Sequence, residues 1–248
     1  MSGLLIITGG SRGIGAATAR LAAQRGWDVC VNYRADEAAA RQVVEDCRTA
    51  GVRALAVAGD VAAEADVTRL FDTAQAEFGP VRGLVNNAGI VAPRSTVADL
   101  DTARIERVFA VNALGAIFCA REAVRRMSTA RGGEGGVIVN VSSRAAVLGG
   151  PGEYVDYAAA KAAVDTLTVG LAREVADEGI RVNCVRPGMI HTEIHASGGQ
   201  PDRVDRLAPT VPMRRGGRAE EIAEAILWLL SPASSYATGA LLDVSGGR

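Results

Sequence analysis

The stretch TGGSRGIG (residues 8–15) places four glycines and Arg12 directly after the short apolar run LLII. A strand that ends in such a turn and then opens a helix brings backbone amides and a helix N-terminus to one point, where phosphate binds. Glycine is needed where a side chain would block the approach to that backbone. The context favours a phosphate site, and an ordinary glycine-containing loop is an equal alternative on the evidence of this turn alone.

Length, charge and cysteine content limit the classes of function. The 248 residues can form one large core, and no linker or change of composition divides them. Lys and Arg total 27 against 28 Asp and Glu, so the net charge of −1 argues against nucleic acid or an anionic membrane as partner. The four cysteines have no CxxC spacing and lie in apolar stretches, which is typical of buried free thiols. With no basic leader and no apolar stretch near the roughly 18 residues of a membrane span, we expect a cytoplasmic protein.

The pattern along the chain predicts the fold. Short β-branched runs, expected as strands, are LLIIT, DVCVNY, RALAVAG, GLVNN, VIVNVS, IRVNCV and ALLDVS. Between them, helical spacing covers residues 13–25, 36–50, 63–78, 101–127, 155–178 and 219–231. Near-continuous apolarity of several strands implies that both sheet faces are covered. We therefore predict one doubly wound α/β domain over residues 1–248, with a parallel sheet of about seven strands and helices on both faces, and a substrate lid at about 190–217.

The stretch YVDYAAAKAAVDTL carries the chemical signal. Tyr157 and Lys161 are four residues apart, so on a helix they share one face. An ammonium beside a phenol favours the phenolate and lowers its pKa from about 10, which gives an acid and base usable near neutral pH. Tyr and Lys at this spacing also occur on solvated helix faces, so the pair gains weight only from the motifs NNAG (86–89) and NVSS (140–143) that precede it. Tyr154 is followed four residues later by Ala158 and is expected to be a packing residue near the mouth of the site.

Together these motifs resemble the short-chain dehydrogenase/reductase family, whose glycine turn has the spacing GxxxGxG found here at Gly9, Gly13 and Gly15. The likeness runs from Thr8 to the terminal LLDVSGG and is closest to the 3-oxoacyl-acyl-carrier-protein reductase and sugar dehydrogenase branch. It implies a Rossmann fold and NADP(H)-dependent transfer of hydride between nicotinamide and a carbonyl or secondary alcohol. The alternative is a catalytically idle dinucleotide-binding sensor or scaffold, which an intact Ser, Tyr and Lys set disfavours.

The resemblance implies a role for each catalytic residue. Ser143 would hydrogen-bond the substrate carbonyl, Tyr157 would transfer the proton, and Lys161 would hold the nicotinamide ribose. Fourteen residues separate Ser143 from Tyr157, one more than the spacing commonest in the family, and the loop GGPGEYVD is expected to absorb the difference while Ser142 is structural. Asn112 would complete the set, because an asparagine inside a helix competes for backbone hydrogen bonds and opens a kink that holds a water near the lysine.

The resemblance also implies the cofactor contacts, although several of these residue types are equally common as turn formers. In chain order they are Gly9, Ser11, Arg12, Gly13, Ile14, Gly15, Asn32, Tyr33, Arg34, Asp60, Val61, Asn87, Ala88, Gly89, Tyr157, Lys161, Pro187, Gly188, Ile190 and Thr192.

The end of the second strand predicts which dinucleotide is preferred. NAD-preferring relatives place an acidic residue there, whereas this chain has no carboxylate until Asp36. Arg12 in the glycine turn and Arg34 after the strand can approach the same ribose from two sides, and guanidinium groups suit phosphate geometry. We therefore expect NADP(H), with solvated loop arginines as the alternative.

Two further features are ambiguous. His191 and His195 are four residues apart, but the acidic residue is misplaced for HExxH and no further ligands are evident, so we expect a lid surface and no metal site. Arg144 either meets an anionic substrate or is a solvated or ion-paired arginine.

The segments 101–127 and 155–178 are Ala-rich and apolar on more than one face, which exceeds what one sheet face requires. By resemblance we expect them to build a homotetramer as a dimer of dimers, with a small molecule as the substrate.

Overall fold

The computed structural model describes residues 3–248 and contains one parallel sheet of seven strands. The strands are β1 (Gly3–Ile7), β2 (Trp27–Tyr33), β3 (Ala54–Ala58), β4 (Val81–Asn86), β5 (Gly136–Val141), β6 (Ile180–Pro187) and β7 (Leu241–Val244). Their order is β3-β2-β1-β4-β5-β6-β7, and every neighbouring pair is parallel. The predicted Rossmann-type sheet is confirmed, with strand ends within two residues of the expected runs.

Helices cover both faces of the sheet. They are α1 (Gly13–Gln24), α2 (Glu37–Thr49), α3 (Glu64–Phe78), α4 (Thr102–Phe109), α5 (Gly115–Met127), α6 (Ala145–Leu148), α7 (Val155–Glu174), α8 (Ile194–Ser197), α9 (Arg203–Leu207) and α10 (Ala219–Leu230). Apolar residues of α1, α2 and α10 pack on one face, and those of α3, α5 and α7 on the other. Within β1, Leu5 and Ile7 join the first core while Leu4 and Ile6 join the second, so alternate side chains of one strand serve two layers.

Two expected helices differ from their predicted extent. The segment 101–127 is interrupted by a π-helical turn, Ala110–Leu114, which contains Asn112. The Asn112 amide nitrogen donates to Val108 O at 2.9 Å and to Ile90 O at 3.0 Å, and this competition with the helix ladder explains the break. The helix expected over 155–178 ends at Glu174, and a 3-10 turn, Ala176–Glu178, follows it.

The strand order creates the crevice in which the site lies. β1 is paired with β2 on one side and with β4 on the other. The strands β2 and β3 are therefore added on one side of β1, and the strands from β4 to β7 are added on the other side. The loops that follow β1 and β4 separate at their carboxyl ends, which is where open α/β sheets bind ligands. The motifs TGGSRGIG and NNAG are those two loops.

No helix within residues 3–248 has the length and apolarity needed to cross a membrane. The four cysteines are buried and free of disulfides, as their apolar surroundings predict.

A buried amide network ties the central strands to α7. Asn86 Nδ2 donates to Asn140 Oδ1 at 3.0 Å, and Asn140 Nδ2 donates to Thr168 Oγ1 at 2.9 Å. Both asparagines and the threonine are buried. Because an unpaired polar group costs free energy in such surroundings, Asn140 holds β4, β5 and α7 in a fixed arrangement.

We expect Asn140→Ala to lower the free energy of unfolding by about 1–3 kcal/mol, since Asn86 and Thr168 each lose one of their buried hydrogen bonds. Thr73→Ala, on the exposed side of α3, is the control and should change it by less than about 0.5 kcal/mol. Urea denaturation of the three proteins measures the difference. Equal stabilities of wild type and Asn140→Ala would show that the network is not a constraint.

Candidate active site

A cavity of about 840 Å³ occupies the crevice at the carboxyl ends of the strands. It brings together predicted site residues from seven separate parts of the chain, and all of these residues line it except Gly15 and Asn112. Gly15 lies behind the glycine turn, where an added Cβ would approach Gly9 O to 2.5 Å and Asn87 Nδ2 to 2.6 Å. Glycine is therefore required there for close packing, and a contact of Gly15 with the cofactor stays a prediction.

Thr8 and Asn87 join the two loops that form the cavity floor. Thr8 Oγ1 accepts hydrogen bonds at 3.0 Å from the backbone nitrogens of Asn87 and Ala88. In return, Asn87 Nδ2 donates at 2.9 Å to Thr8 O and to Gly9 O. Gly9 adopts φ 60°, and a Cβ there would lie 2.8 Å from Ala88 Cα. The close approach of the loops and the left-handed backbone both require glycine at this position.

The N-terminus of α1 points into this floor without a capping side chain. Arg12 is the N-cap and provides no side-chain hydrogen bond, and the first turn contains no acidic residue. Ala16 N donates to Arg12 O at 3.2 Å, so the amides before it have no helical acceptor. Free amides, glycine and an uncompensated helix dipole fit the pyrophosphate of a dinucleotide.

Asn32 is engaged with the backbone on both sides. Its Oδ1 accepts from Gly9 N at 3.3 Å and its Nδ2 donates to Gly59 O at 2.9 Å, so it links the glycine turn to the end of β3. Arg12 and Arg34 are exposed at the cavity rim, and neither forms an ion pair with another residue of the described chain. Asp36 accepts from Ala39 N at 3.0 Å and caps α2.

Ser143 and Tyr157 meet at the inner end of the cavity. Burial raises the pKa of Tyr157 to about 12, and a hydrogen bond with Ser143 acts in the opposite direction. The expected lowering of this pKa by Lys161 is therefore wrong for the chain as it stands. The Lys161 ammonium is 5.9 Å from the centre of the Tyr157 ring. The loss of solvation on burial has the largest effect on the pKa of Tyr157, and it raises this pKa.

Lys161 is the sole lysine of the sequence and is buried in the cavity wall. Its Nζ donates to Val141 O at 2.8 Å. Burial lowers the pKa of Lys161 to about 8, while the nearby Cys184 and Asp165 raise it. Ser142 Oγ donates to Lys161 O at 3.0 Å, so of the two adjacent serines Ser142 is bound to the backbone and Ser143 faces Tyr157.

Asn112 lies behind the cavity wall. Its Oδ1 accepts from Ile90 N at 3.1 Å, and an added Cβ at Gly89 would be 2.9 Å from that oxygen and 3.4 Å from Lys161 Nζ. The π-helical turn thus brings Asn112 close to Gly89 and the lysine.

The structure also settles the surroundings of several ambiguous residues. Arg144 Nη1 pairs with Asp243 Oδ2 at 2.6 Å, which is the ion-paired alternative. His195 Nε2 donates to Ile190 O at 3.0 Å, and His191 Nε2 is 4.0 Å from Asp205 Oδ1. No group of three or more His, Cys, Asp or Glu suited to a metal occurs between residues 3 and 248.

Asp60 and the segment after β6 also border the cavity. Asp60 Oδ2 accepts from Arg107 Nη2 at 2.7 Å, a contact between the loop after β3 and α4 that the sequence did not indicate. Beyond β6, Thr192 lies against Gly13, where an added Cβ would be 3.2 Å from its methyl group. Pro187, Gly188 and Ile190 line the same wall, and Ile190 bridges to Gly217.

Sequence reasoning missed a group of charged and aromatic residues beside Tyr157. Tyr154 packs edge-on against Tyr157 with ring centres 5.7 Å apart, and Arg203 lies 5.0 Å from the centre of the Tyr154 ring. Arg203 also pairs with Glu153. The position of Tyr154 at the mouth of the site was expected. Arg203, however, follows Tyr157 by 46 residues in the sequence and lies in a segment whose sequence shows no periodic pattern, so nothing indicated that it is buried.

Comparison with known proteins gives consistent matches over the whole chain. The family profile described as enoyl-(acyl carrier protein) reductase matches residues 9–248. YgfF of Escherichia coli, an uncharacterized oxidoreductase, is 54% identical over 99% of both chains. The cis-4-hydroxycyclohexanecarboxylate dehydrogenase of Sinomonas cyclohexanicum is 44% identical over 98% of this chain and 94% of its own. A short-chain dehydrogenase of Burkholderia cenocepacia, solved in complex with NADP, is 32% identical, with a TM-score of 0.90 over 98% of this chain and 96% of that one.

The chain belongs to the short-chain dehydrogenase/reductase family. Members of this family are oxidoreductases that bind a nicotinamide dinucleotide, and the relatives act on small molecules. The glycine turn and the uncapped α1 N-terminus lie at the crevice that this cofactor requires.

The sole lysine allows its pKa to be measured directly. We expect protein labelled with 15N-lysine to show one side-chain resonance that titrates near pH 8, well below the unperturbed 10.5, because burial disfavours the charged form. Between these values the unfolded chain binds the proton more tightly, so the Lys161 contribution to stability rises with pH. A midpoint near 10.5 would contradict this environment, and the urea-unfolded protein provides the reference titration.

Proposed function

We propose that this protein is an NADP(H)-dependent oxidoreductase that interconverts a carbonyl compound and a secondary alcohol. The observation that carries the proposal is the convergence of Ser143, Tyr157 and Lys161 in the same cavity as the glycine turn. The alternative, an idle sensor, would need the dinucleotide crevice but not these three side chains, and their juxtaposition favours an enzyme.

The cofactor supplies the hydride when bound, and the residues of this chain supply binding, orientation and the proton. Ser143 Oγ hydrogen-bonds the substrate oxygen, and the Tyr157 hydroxyl donates its proton to the alkoxide that develops there. With a pKa raised to about 12, Tyr157 is protonated at neutral pH and is ready to act as the acid in reduction. Lys161 holds the nicotinamide ribose, and its positive charge favours the phenolate that remains after proton transfer.

Asn112 acts through its neighbours. By holding Ile90 N and Ile90 O it fixes the backbone beside Gly89, which borders Lys161. The oxidising direction uses the same groups in reverse, with Tyr157 as the base.

The rim of the cavity supports NADP(H) over NAD(H). Arg12 and Arg34 are exposed there without acidic partners in the described chain, and the first carboxylate after β2 in the sequence, Asp36, caps α2. Two guanidinium groups at this point suit a 2′-phosphate, since they form charge-assisted hydrogen bonds with phosphate oxygens. That the Burkholderia cenocepacia structure was solved with NADP agrees with this assignment.

The substrate end of the cavity is lined by Leu148, Tyr154 and Leu207. Such a wall suits a small ring or open-chain ketone, and the relative that oxidises cis-4-hydroxycyclohexanecarboxylate supports a cyclic candidate. We propose a test panel of 4-oxocyclohexanecarboxylate, a 3-oxobutanoyl thioester and 2,3-butanedione with NADPH, and of D-glucose with NADP+. Turnover of any member separates an enzyme from a sensor, which would bind NADPH without consuming it.

We also propose that the protein is a cytoplasmic homotetramer. Ile105, Leu114 and Ile117 are exposed apolar residues on and between α4 and α5, and the outer side of α7 presents small residues such as Ala159 and Ala163. Burial of these surfaces between subunits would remove apolar area from water.

We expect Tyr157→Phe to lower turnover by ~10²–10⁴-fold, because the general acid is lost, while NADPH affinity changes little. Tyr154→Phe is the matched control, since it removes a hydroxyl from the same cavity and keeps both rings. Steady-state rates with the best substrate of the panel and fluorescence titration with NADPH measure the two effects. Near-normal turnover of Tyr157→Phe, with loss of activity in Tyr154→Phe, would assign the acid to Tyr154.

We expect Arg12→Ala and Arg34→Ala each to weaken NADPH binding by roughly ten- to a hundredfold, since one charge-assisted hydrogen bond contributes about 1.5–3 kcal/mol. NADH binding should hardly change, and Tyr33→Asp should shift the preference toward NAD(H). Arg131→Ala, an exposed arginine outside the cavity, is the control. The preference for NADP(H) would be refuted by wild-type protein that binds NADH as tightly as NADPH, with both rim variants indifferent.

A further inference from the structure

A buried ion pair connects the segment after β6 to the loop before the catalytic helix. Arg203, on α9, has only 3% of its surface exposed. Its Nη1 donates to Glu153 Oε1 at 2.9 Å and its Nη2 to Glu153 Oε2 at 2.5 Å. Arg203 holds the pKa of Glu153 below its usual range. The two-point contact of planar groups fixes orientation as well as distance, so it sets how the two segments lie against each other.

The same arginine reaches Tyr157 through one aromatic ring. The guanidinium carbon of Arg203 lies 5.0 Å from the centre of the Tyr154 ring, and this ring meets Tyr157 edge-on at an interplanar angle of 88°. Tyr154 is thereby packed between a fixed cation and the proposed acid. Movement of Arg203 changes the surface against which the Tyr157 ring rests.

The start of α7 is also held by a second, partly buried arginine. Arg104, on α4, pairs with Asp156 through Nε at 2.8 Å and Nη2 at 3.2 Å, and it donates to Pro93 O at 2.5 Å. Glu153 O accepts from Ser95 N at 2.9 Å, which joins the same neighbouring loop. The backbone before Tyr157 is therefore fixed without Arg203, and the ion pair with Glu153 has a narrower effect on Tyr154 and the segment 190–217.

Stability alone does not account for the ion pair. A buried salt bridge gains little over well-packed apolar residues, because both charges lose their hydration. In addition, Arg203 Nε is buried without an acceptor in the described structure. Such an unmet donor costs free energy, so the arrangement is better explained by the geometry that it imposes.

We infer that Arg203 is a positioning residue for the reaction, which holds Tyr154 against Tyr157 by means of its bidentate contact with Glu153. This inference rests on the proposed function for its effect on turnover, whereas the ring contact itself exists in the free protein. Arg203 acts through Tyr154 and transfers no proton. Loss of the contact leaves the catalytic side chains present but allows the Tyr157 ring and the adjacent cavity wall to shift.

The test uses the double variant Glu153→Gln/Arg203→Gln, which removes both charges and leaves neither buried alone. Arg206→Gln is the matched control, because Arg206 is an exposed arginine of the same helix. Its Nη2 donates to Gln200 Oε1 at 2.8 Å. Protein labelled with 13C-tyrosine reports the Tyr157 ring by NMR, and Tyr157→Phe assigns its signal among the four tyrosines. Steady-state kinetics with the best substrate of the panel and NADPH titration complete the set.

We expect the double variant to shift the Tyr157 ring resonance and to lower kcat by about ten- to a hundredfold, as a misplacement of about 1 Å can do. NADPH affinity should stay within about twofold, and Arg206→Gln should match wild type. Arg203→Lys keeps the positive charge but not the two-point contact of the guanidinium group, so its kcat should lie between those of the double variant and the wild type. Tyr154→Leu should lower kcat to a similar degree, and adding it to the double variant should cost little more, because both act through one contact.

An unchanged Tyr157 resonance, or an unchanged kcat, in a folded double variant would overturn the inference and leave Arg203 as an anchor of α9 alone. Fully additive losses from Tyr154→Leu and the double variant would overturn it as well. The NMR shift is read without substrate, so it decides the positioning claim separately. If wild type turned over no member of the panel, the proposed function would fail while the ring shift still supported or refuted the contact.

Discussion

The paired hydrogen bonds between Thr8 and Asn87 are the contact on which the rest of the site depends. They join the loops after β1 and β4 at the point where the order of strands reverses. Because Asn87 Nδ2 also binds Gly9 O, the glycine turn is held against the second loop at a distance that only glycine permits. The uncapped N-terminus of α1 then faces the cavity, so one local constraint determines where a phosphate can bind.

Burial, rather than proximity of charges, controls the electrostatics of the catalytic end. It raises the pKa of Tyr157 to about 12 and lowers that of Lys161 to about 8, so at neutral pH the tyrosine is protonated and the lysine still carries most of its charge. Each shift follows from the cost of a charge in a poorly solvated wall. A tyrosine that is protonated at neutral pH can donate in reduction, and the hydrogen bond with Ser143 supports the phenolate that results.

Much of this arrangement could be predicted from the sequence, for reasons that are local. The apolar runs identified all seven strands because side chains buried on both sheet faces leave near-continuous apolar patterns. The carboxyl ends of parallel strands share one edge, which explains why the turn after β1 and Ser143 after β5 line the same cavity. The break at Asn112 was likewise predictable, since the asparagine amide competes with the helix ladder within four residues. Residues named through family resemblance, such as Lys161, were found in the cavity wall.

The remainder depends on contacts that no local pattern encodes. The pair of Glu153 and Arg203 joins positions 50 residues apart, and α8 and α9 are helices of four and five residues in a segment with no periodicity. The direction of the Tyr157 pKa shift was predicted wrongly, because spacing on a helix gives the distance to Lys161 but not the degree of burial.

The central claim is that the cavity binds NADP(H) with its reactive end beside Ser143, Tyr157 and Lys161. A crystal structure of the protein grown with NADPH tests it most directly. We expect the dinucleotide along the glycine turn, its 2′-phosphate between Arg12 and Arg34, and its nicotinamide beside Tyr157 and Lys161. A dinucleotide bound outside this cavity, or one whose nicotinamide lies away from Tyr157, would contradict it.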